Sequence, residues 1–421
     1  MLSVLQNIFK MGELRHKILF TLGMLLVFRF GAHIPVPGID PAAMERLFQN
    51  GGLLGFLDMF AGGALKRFSI FAMGIAPYIN ASIIMQLLTV VIPRLGELAK
   101  QGEEGRKVMT QYIRYGTIVL GAIQAFGMSF WLKNLGVIGN FTFFHVLVIV
   151  ATLTAGTAFL MWLGEMITAN GIGNGISIII FAGIVANLPS GVIQTISLIK
   201  VGGVNILAIA AFLVIAVLVI AAIIYINEGQ RRIPVQYAKR VVGRRVYGGQ
   251  STHIPLKLNQ AGVIPVIFAS SILLFPATIA QFFAGNGFSQ MIVNLFSPSS
   301  VLYNILYALL IIFFTYFYTA IVFNPVEMAD NLKKYSGFIP GIRPGRPTSE
   351  YIEKVVTRIT LAGAVFLAFV AVLPSVIIGF TGVQTLYLGG TGLLIVVGVT
   401  LDTMRQLESQ LMMKQYEGFM K

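Results

Sequence analysis

The 421-residue chain contains no cysteine and little charge. Without cysteine, disulfide bonds, thiolate catalysis and cysteine-ligated metals are excluded. Charged residues make up 11% of the chain and hydrophobic residues 56%, whereas soluble domains average about 25% charged and roughly 45–50% apolar residues. This composition excludes an ordinary soluble enzyme and a disordered chain. A helical membrane protein with several spans is the class that remains.

Motifs for nucleotide, redox or metal chemistry are missing as well. The sequence has no Walker A pattern, and its four histidines are scattered without ligand spacing. The glycine-rich run 171–175 lacks the preceding strand and full spacing of a dinucleotide loop, so it is predicted to be a tight turn with Asn174 near a helix start. We therefore expect neither enzymatic activity nor a cofactor or metal.

Charge inside the hydrophobic stretches is sparse. Glu165 and Asp402 are the two acidic residues that come close to a mid-membrane position. Each lies near the predicted cytoplasmic end of its stretch, where water or a basic neighbour can satisfy it. A proton or sodium pump would normally bury carboxylates deeper in the membrane. Arg29 lies near the outer end of the first stretch, where a snorkelling side chain is the expected arrangement.

Long hydrophobic stretches dominate the chain. A helix needs about 20 apolar residues to cross a hydrocarbon core of roughly 30 Å, and ten stretches reach or approach this length. The strict alternation of a β-barrel is missing, so the fold class is predicted to be an all-α polytopic membrane protein with ten transmembrane helices. The fifth stretch is short unless it runs on past Pro189. The stretches lie at about 18–34, 71–92, 112–132, 145–168, 174–188, 205–226, 259–283, 301–323, 355–378 and 384–401.

The basic residues predict the orientation of these helices. With the N-terminus in the cytoplasm, 24 of the 30 lysines and arginines fall in inside segments and five in outside segments. The positive-inside rule then places both termini in the cytoplasm. If residues 1–188 and 205–421 share a fold, they form two inverted five-helix halves, joined by an external hinge loop at 189–204. Inverted repeats usually place a functional pathway at their interface.

A short apolar segment precedes the second stretch on the predicted outer side. The glycine pairs at 51–52 and 62–63 bracket residues 53–61, which are too few to span a membrane and include Asp58. A short helix hinged by glycines can fold into a cavity and move out again. It can equally lie in the interface of the outer leaflet. The residue pattern leaves both interpretations open.

Isoleucines recur near the middle of several stretches. Ile75 and Ile79 are one helical turn apart, and Ile180, Ile267 and Ile395 stand singly in other stretches. Contact with lipid or simple packing is the ordinary explanation for such residues. The functional alternative is a narrow apolar ring that dewets and blocks ions.

Two predicted inner loops, within 227–258 and 324–350, are basic and rich in local structure. The first carries a net charge of +6, and its segments 232–237 and 244–247 are predicted to form a β-hairpin that turns at 241–243. The second contains a turn rich in proline and glycine that presents Arg343. Basic loops fix topology and meet anionic lipid. A rigid basic surface also suits a large acidic partner, such as ribosomal RNA or an acidic protein.

Several stretches of the chain carry distinctive motifs. They are FRFGAHIPVPGID (28–40), IAPYINASIIMQLLT (75–89), MWLGEMITANGIGNGISIIIFAGIV (161–185), GQRRIPVQYAKR (229–240), STHIPLKLNQAGVIPVIFASSILLFPATIA (251–280), FNPVEMADNLKKYSGFIPGIRPG (323–345) and LMMKQYE (411–417). Together these stretches closely resemble the SecY family of protein-translocation channels. The similarity covers nearly the whole sequence and is far more specific than a lone glycine motif.

The resemblance implies two five-helix halves around a central hourglass pore, with a plug at 53–70. It implies a lateral gate where spans two and three face spans seven and eight. A sixth ring position stays open, because Ser270 and Ser271 follow Ile267. The implied pore ring is Ile75, Ile79, Ile180, Ile267 and Ile395. The implied plug residues are Leu53, Leu54, Gly55, Phe56, Leu57, Asp58, Met59, Phe60, Ala61, Gly62 and Gly63.

The same resemblance implies a function and partners. A channel of this family passes unfolded preproteins bearing signal peptides across the bacterial cytoplasmic membrane and releases hydrophobic segments sideways into lipid. SecE would clamp the halves, SecG would lie at the periphery, and the SecA ATPase or the ribosome would drive transport. The implied docking residues are Arg240, Arg244, Arg245 and Arg343.

A secondary transporter for a small solute is the alternative from another class of membrane protein, because such carriers are also built from inverted repeats. The scarcity of intramembrane charge and the rigid basic loops favour the protein channel.

Overall fold

The computed structural model describes ten long helices and a small sheet, together with their main connections. The described residues are 11–39, 44, 48, 58, 61–134, 136–137, 142–200, 206–237, 240–242, 245–247, 251–282, 291–292, 295–297, 300–381 and 390–419. The helices are α1 (Gly12–Gly31), α2 (Ala76–Val91), α3 (Pro93–Lys100), α4 (Glu103–Asn134), α5 (Phe143–Asn170), α6 (Gly175–Lys200), α7 (Ile206–Glu228), α8 (Ile264–Phe282), α9 (Val301–Val322), α10 (Pro325–Lys334), α11 (Arg346–Thr381) and α12 (Gly390–Phe419). The strands are β1 (Gln230–Tyr237), β2 (Arg240–Val242), β3 (Arg245–Tyr247), β4 (Ser251–Lys257) and β5 (Gly337–Phe338).

Every predicted hydrophobic stretch overlaps one of these helices. Within the described part of the chain, six helical segments are long and apolar enough to cross a membrane by length and composition alone. A seventh is counted if α2 and α3, which meet at a bend of 104°, are taken as one span. The short α3 begins at Pro93, whose missing N–H ends the hydrogen-bond ladder of α2. Helix α1 misses the criterion because its first turns carry charge, including Glu13.

The helices pack as two groups that meet along two seams. In the first group α4 packs on α2 and α5, and α5 packs on α1 and α6. In the second group α9 packs on α8 and α11, and α12 packs on α7 and α11. One seam joins α8 to α2 and α4, and the other joins α6 to α12. A single large cluster of buried apolar side chains runs through both groups.

Most of the predicted external loop at 189–204 is helical, in agreement with the open possibility that the fifth stretch runs on past Pro189. Helix α6 continues through Pro189 and ends at Lys200. Proline removes one backbone hydrogen bond, and neighbouring groups in a membrane helix can satisfy what is freed. Apolar residues such as Ile193 and Ile196 follow the proline and remain exposed on the helix surface, as expected of a segment in contact with lipid.

The strands form a sheet with a different pairing from the one predicted. Strand β1 pairs antiparallel with β4, placing Ile233 opposite Ile254, and its far end pairs with β5. The predicted partner of β1, segment 244–247, instead contributes β3, which pairs with β2 in a separate hairpin. The basic loop therefore contains two antiparallel pairings, β1–β4 and β2–β3, where a single hairpin was predicted. We call the side of the bundle that carries this sheet the loop face.

A separate apolar cluster fixes the sheet to the helices. Ile233 and Val235 of β1 are buried against Leu332 of α10 and Ile352 of α11, together with Ile339. Asn324 caps the start of α10, and its side chain accepts hydrogen bonds from the backbone N–H groups of Val326 and Glu327. Because this cluster is distinct from the main core, the loop face has its own rigid foundation.

Two further sequence-based predictions are confirmed in the first helix group. Residues 171–174 form the turn between α5 and α6, and the side chain of Asn174 accepts hydrogen bonds from the N–H groups of Ile176 and Ser177. Glu165 has the basic neighbour expected of a carboxylate near a membrane boundary. It forms a bidentate ion pair with Arg114 of α4, at 2.9 and 2.6 Å.

Candidate functional site

Four of the five isoleucines singled out in the sequence lie in four different helices, and the fifth directly precedes one of these helices. Ile75 precedes the first residue of α2, Ile79 lies one turn further on, and Ile180, Ile267 and Ile395 belong to α6, α8 and α12. Each is between 0% and 7% exposed, and all five belong to the same buried apolar cluster. None of them therefore faces lipid, although their role as a ring stays a prediction.

A cavity of about 100 Å³ lies beside three of these isoleucines. Ile75, Ile79 and Ile180 line it, whereas Ile267 and Ile395 do not. The serines that left the sixth position open also line the cavity, and Ser270 donates its hydroxyl to the carbonyl oxygen of Ile267 at 2.8 Å. Seam helices α2, α4 and α8 thus enclose a mostly apolar space.

Sequence reasoning missed the contribution of α4 to this cavity. Gln124, Met128 and Trp131 all line it. Their spacing of four and three residues places them on one helical face, and that spacing is the signal that could have identified them. Asn80 of α2 also lines the cavity, so its wall is not uniformly apolar.

The end of the predicted plug forms a tight turn on the side opposite the loop face. The N–H of Lys66 donates to Oδ1 of Asp58 at 2.9 Å, and the N–H of Gly63 donates to the carbonyl oxygen of Asp58 at 3.1 Å. Asp58 is buried. The predicted plug residues 53–57, 59 and 60 lie outside the described residues.

Arg29, near the outer end of the first predicted stretch, makes a long-range hydrogen bond within the protein. Its Nη1 donates a hydrogen bond of 2.8 Å to the carbonyl oxygen of Gly62, in the turn at the end of the predicted plug. A carbonyl 33 residues away therefore accepts from one of the five N–H donors of the guanidinium group.

The predicted docking residues lie on the loop face or outside the described residues. Arg343 is exposed in the turn before α11, where its carbonyl oxygen accepts a hydrogen bond of 2.8 Å from the Thr348 hydroxyl. Arg240 pairs with Tyr247 across the β2–β3 hairpin, and Arg245 lies in β3. Arg244 is not among the described residues.

Two inverted groups of helices around a buried apolar cluster, with a short segment folded against one end, define the class of membrane channels built from two halves. The SecY family model matches residues 69–404. The chain belongs to the SecY family, and it is a subunit of a protein-conducting channel in a membrane.

Relatives and solved structures agree with this assignment. The chain is 52% identical to the protein translocase subunit SecY of Halalkalibacterium halodurans, with 100% of both chains covered. It is 52% identical to that of Escherichia coli, covering 98% of this chain and 95% of the relative. A solved structure described as a protein conducting channel superposes with a TM-score of 0.65 at 19% identity, covering 94% of this chain and 92% of the other. The ten-helix fold of two halves is therefore that of known translocation channels.

Proposed function

We propose that unfolded polypeptides pass between the two helix groups, through a constriction made by Ile75, Ile79, Ile180, Ile267 and Ile395. The burial of all five in one cluster, although they come from separate parts of the chain, is the observation that carries this proposal. A passing chain varies in sequence, so specific hydrogen bonds would favour some segments over others. Branched apolar side chains instead contact any segment weakly and exclude water when no segment is present.

Lateral release of hydrophobic segments would use the seam between α8 and the pair α2 and α4. The cavity at this seam supports the proposal, because it is already lined by side chains from all three helices. A segment of about 20 apolar residues prefers hydrocarbon to water. Partitioning across the seam would then separate membrane segments from secreted ones.

The orientation that we propose places the loop face and both termini in the cytoplasm of a bacterial cell, with the chain in the cytoplasmic membrane. The excess of lysine and arginine in the segments of that face supports this orientation. Residues 53–63 would plug the outer side of the pore. One solved relative is described as having a plug domain that stabilises the closed state and maintains a membrane seal.

The partners that we propose dock on the loop face and around the bundle. The SecA ATPase or the ribosome would supply the driving force through contacts with Arg240, Arg244, Arg245 and Arg343, while SecE and SecG would be membrane partners. The rigid apolar cluster beneath the sheet supports such contacts. A solved channel in the canine ribosome–channel complex has the same fold, with a TM-score of 0.61 at 18% identity.

A cross-linking experiment tests the proposed pathway. Because the chain lacks cysteine, single cysteines placed at Ile75 and Ile395 provide unique attachment points. The two cysteine variants are tested separately. In each, a precursor that is stalled during transport and carries one cysteine in its threaded part is expected to form a disulfide with the channel cysteine. The control is a cysteine at Ile84, on the exposed surface of α2, where no cross-link is expected. A stalled precursor that reaches neither Ile75 nor Ile395 would contradict the proposed pathway.

Reversal of one charge tests the docking surface. Arg343→Glu is expected to weaken SecA-driven precursor import into vesicles by at least about tenfold, because like charges brought together at an interface cost several kcal/mol. Arg343 is exposed in a turn braced by the buried Ile339, so the exchange leaves folding intact. Lys354→Glu reverses a charge at an exposed position of α11 and is the matched control. Equal import by both variants and the unmodified channel would argue against docking at Arg343.

A further inference from the structure

A long-range hydrogen bond connects the first helix to the plug segment. Arg29 lies in the last turn of α1, and its Nη1 donates to the carbonyl oxygen of Gly62 at 2.8 Å. Hydrogen bonds from a charged donor are about twice as strong as neutral ones.

The backbone at Gly62 is suited to receive this bond. Its φ of +67° and the φ of +83° at Gly63 lie in the left-handed region that favours glycine. A Cβ at Gly62 would lie 2.9 Å from Cα of Gly183 in α6 and 3.1 Å from the ring of Phe28 in α1. The turn is therefore seated in a notch between α1 and α6, and the accepting carbonyl is held in one direction.

The notch joins the turn to the helix that carries one proposed ring residue. Gly183 follows Ile180 by one helical turn on α6, and a Cβ at Gly63 would lie 3.3 Å from Oδ1 of Asn187, one turn further on. The two bonds to Asp58 close the turn into one unit with the plug. Outward movement of the plug would swing Gly62 and withdraw its carbonyl from Arg29.

We propose that Arg29 is a positioning residue that latches the plug in the closed channel. The inference rests on the proposed plug and adds the group that holds it. In the closed state the guanidinium group binds the hinge carbonyl, and opening exchanges this bond for water. Loss of such a bond shifts an equilibrium by about tenfold or more, so the latch sets how often an idle channel opens.

The test measures the resting ion conductance of the purified channel complex in planar bilayers. Arg29→Met keeps the length of the side chain and removes its donors, and it is expected to raise the conductance about tenfold or more. Arg29→Lys keeps a charged donor and is expected to restore most of the seal. Equal resting conductance of the Arg29→Met and Arg29→Lys channels would show that loss of the hydrogen bond does not cause the leak.

Deletion of residues 55–66 separates failure of the latch from failure of the plug. The deletion alone is expected to leak, and adding Arg29→Met to it is expected to raise the leak no further. A deletion variant that stays tight would refute the plug, and the latch with it. A leaky deletion combined with a tight Arg29→Met channel would refute the latch alone, as would a further rise when the two changes are combined.

Gly62→Ala probes the same contact from the other side. The added methyl group meets the backbone of Gly183 and strains a left-handed φ, so the turn is expected to leave its notch and the conductance to rise as in Arg29→Met. Gly102→Ala is the control, because Gly102 has a φ of +72° but open space around it. Equal conductance of the two alanine variants would count against seating of the turn.

Discussion

Ile79→Asn is expected to raise the resting ion conductance of the reconstituted channel about 30-fold. Ile79 is 7% exposed and lines the cavity at the seam. A dry constriction excludes ions because its wall offers water no hydrogen bonds. An amide group there gains about 2 kcal/mol by meeting water, which corresponds to roughly 30-fold in the hydrated population.

Ile84→Asn on the same helix is the matched control. Ile84 is 47% exposed on the surface of the bundle, so its amide is directed away from the cavity and the conductance is expected to stay unchanged. Conductance measured at fixed voltage in planar bilayers distinguishes the two variants. Similar conductance from both would mean that Ile79 packs the helices without sealing a pore.

Loss of either partner from the ion pair between α4 and α5 is expected to lower the free energy of unfolding by about 2 kcal/mol. Removal of one partner from a fully buried pair costs about 3–5 kcal/mol, and this pair is partly shielded, with its side chains 44% and 21% exposed. Arg114→Met and Glu165→Met each leave one charge without its partner. The double variant is expected to recover most of the loss, because an apolar pair suits this environment.

Denaturant titration in detergent gives the free energy of unfolding of the unmodified protein, the two single variants and the double variant. These four values complete a double-mutant cycle. Arg346→Met breaks a pair of similar length, 2.9 Å, whose side chains are 89% and 61% exposed, and is expected to change stability by less than about 1 kcal/mol. A double variant as unstable as the sum of the two single ones would contradict pairwise coupling between Arg114 and Glu165.

Hydropathy predicted the helices well but left one end open. All ten stretches correspond to helices because the requirement for about 20 apolar residues is a property of the bilayer. The fifth stretch could end near Pro189 or run on past it, because proline breaks helices in water but is tolerated in membrane helices. Helix α6 continues to Lys200, so the second possibility is confirmed.

Strand pairing could not be derived from the local pattern. The alternation at 232–237 correctly predicts a strand, but its partner begins at Ser251, beyond the β2–β3 hairpin. Alternation identifies which face of a strand is buried and says nothing about which distant segment covers its edge. Ile233 and Val235 are buried by side chains from distant segments, so the position of β1 depends on tertiary packing.

The candidate site shows the same division between local and distant information. The isoleucines were visible as residues, but ordinary packing would have explained them without the resemblance to a family. The bond from Arg29 to Gly62 joins residues 33 positions apart, and no pattern in either segment indicates it. Cavity residues on α4 were accessible from helical spacing alone, since Gln124, Met128 and Trp131 share a face.

The extension of α6 to Lys200 shortens the covalent tether between the two helix groups. Helix α7 begins at Ile206, so six virtual bonds separate these residues and limit their Cα separation to about 21 Å. The tether therefore limits how far the adjoining ends of α6 and α7 can move apart, and we expect the wider opening at the seam where α8 meets α2 and α4.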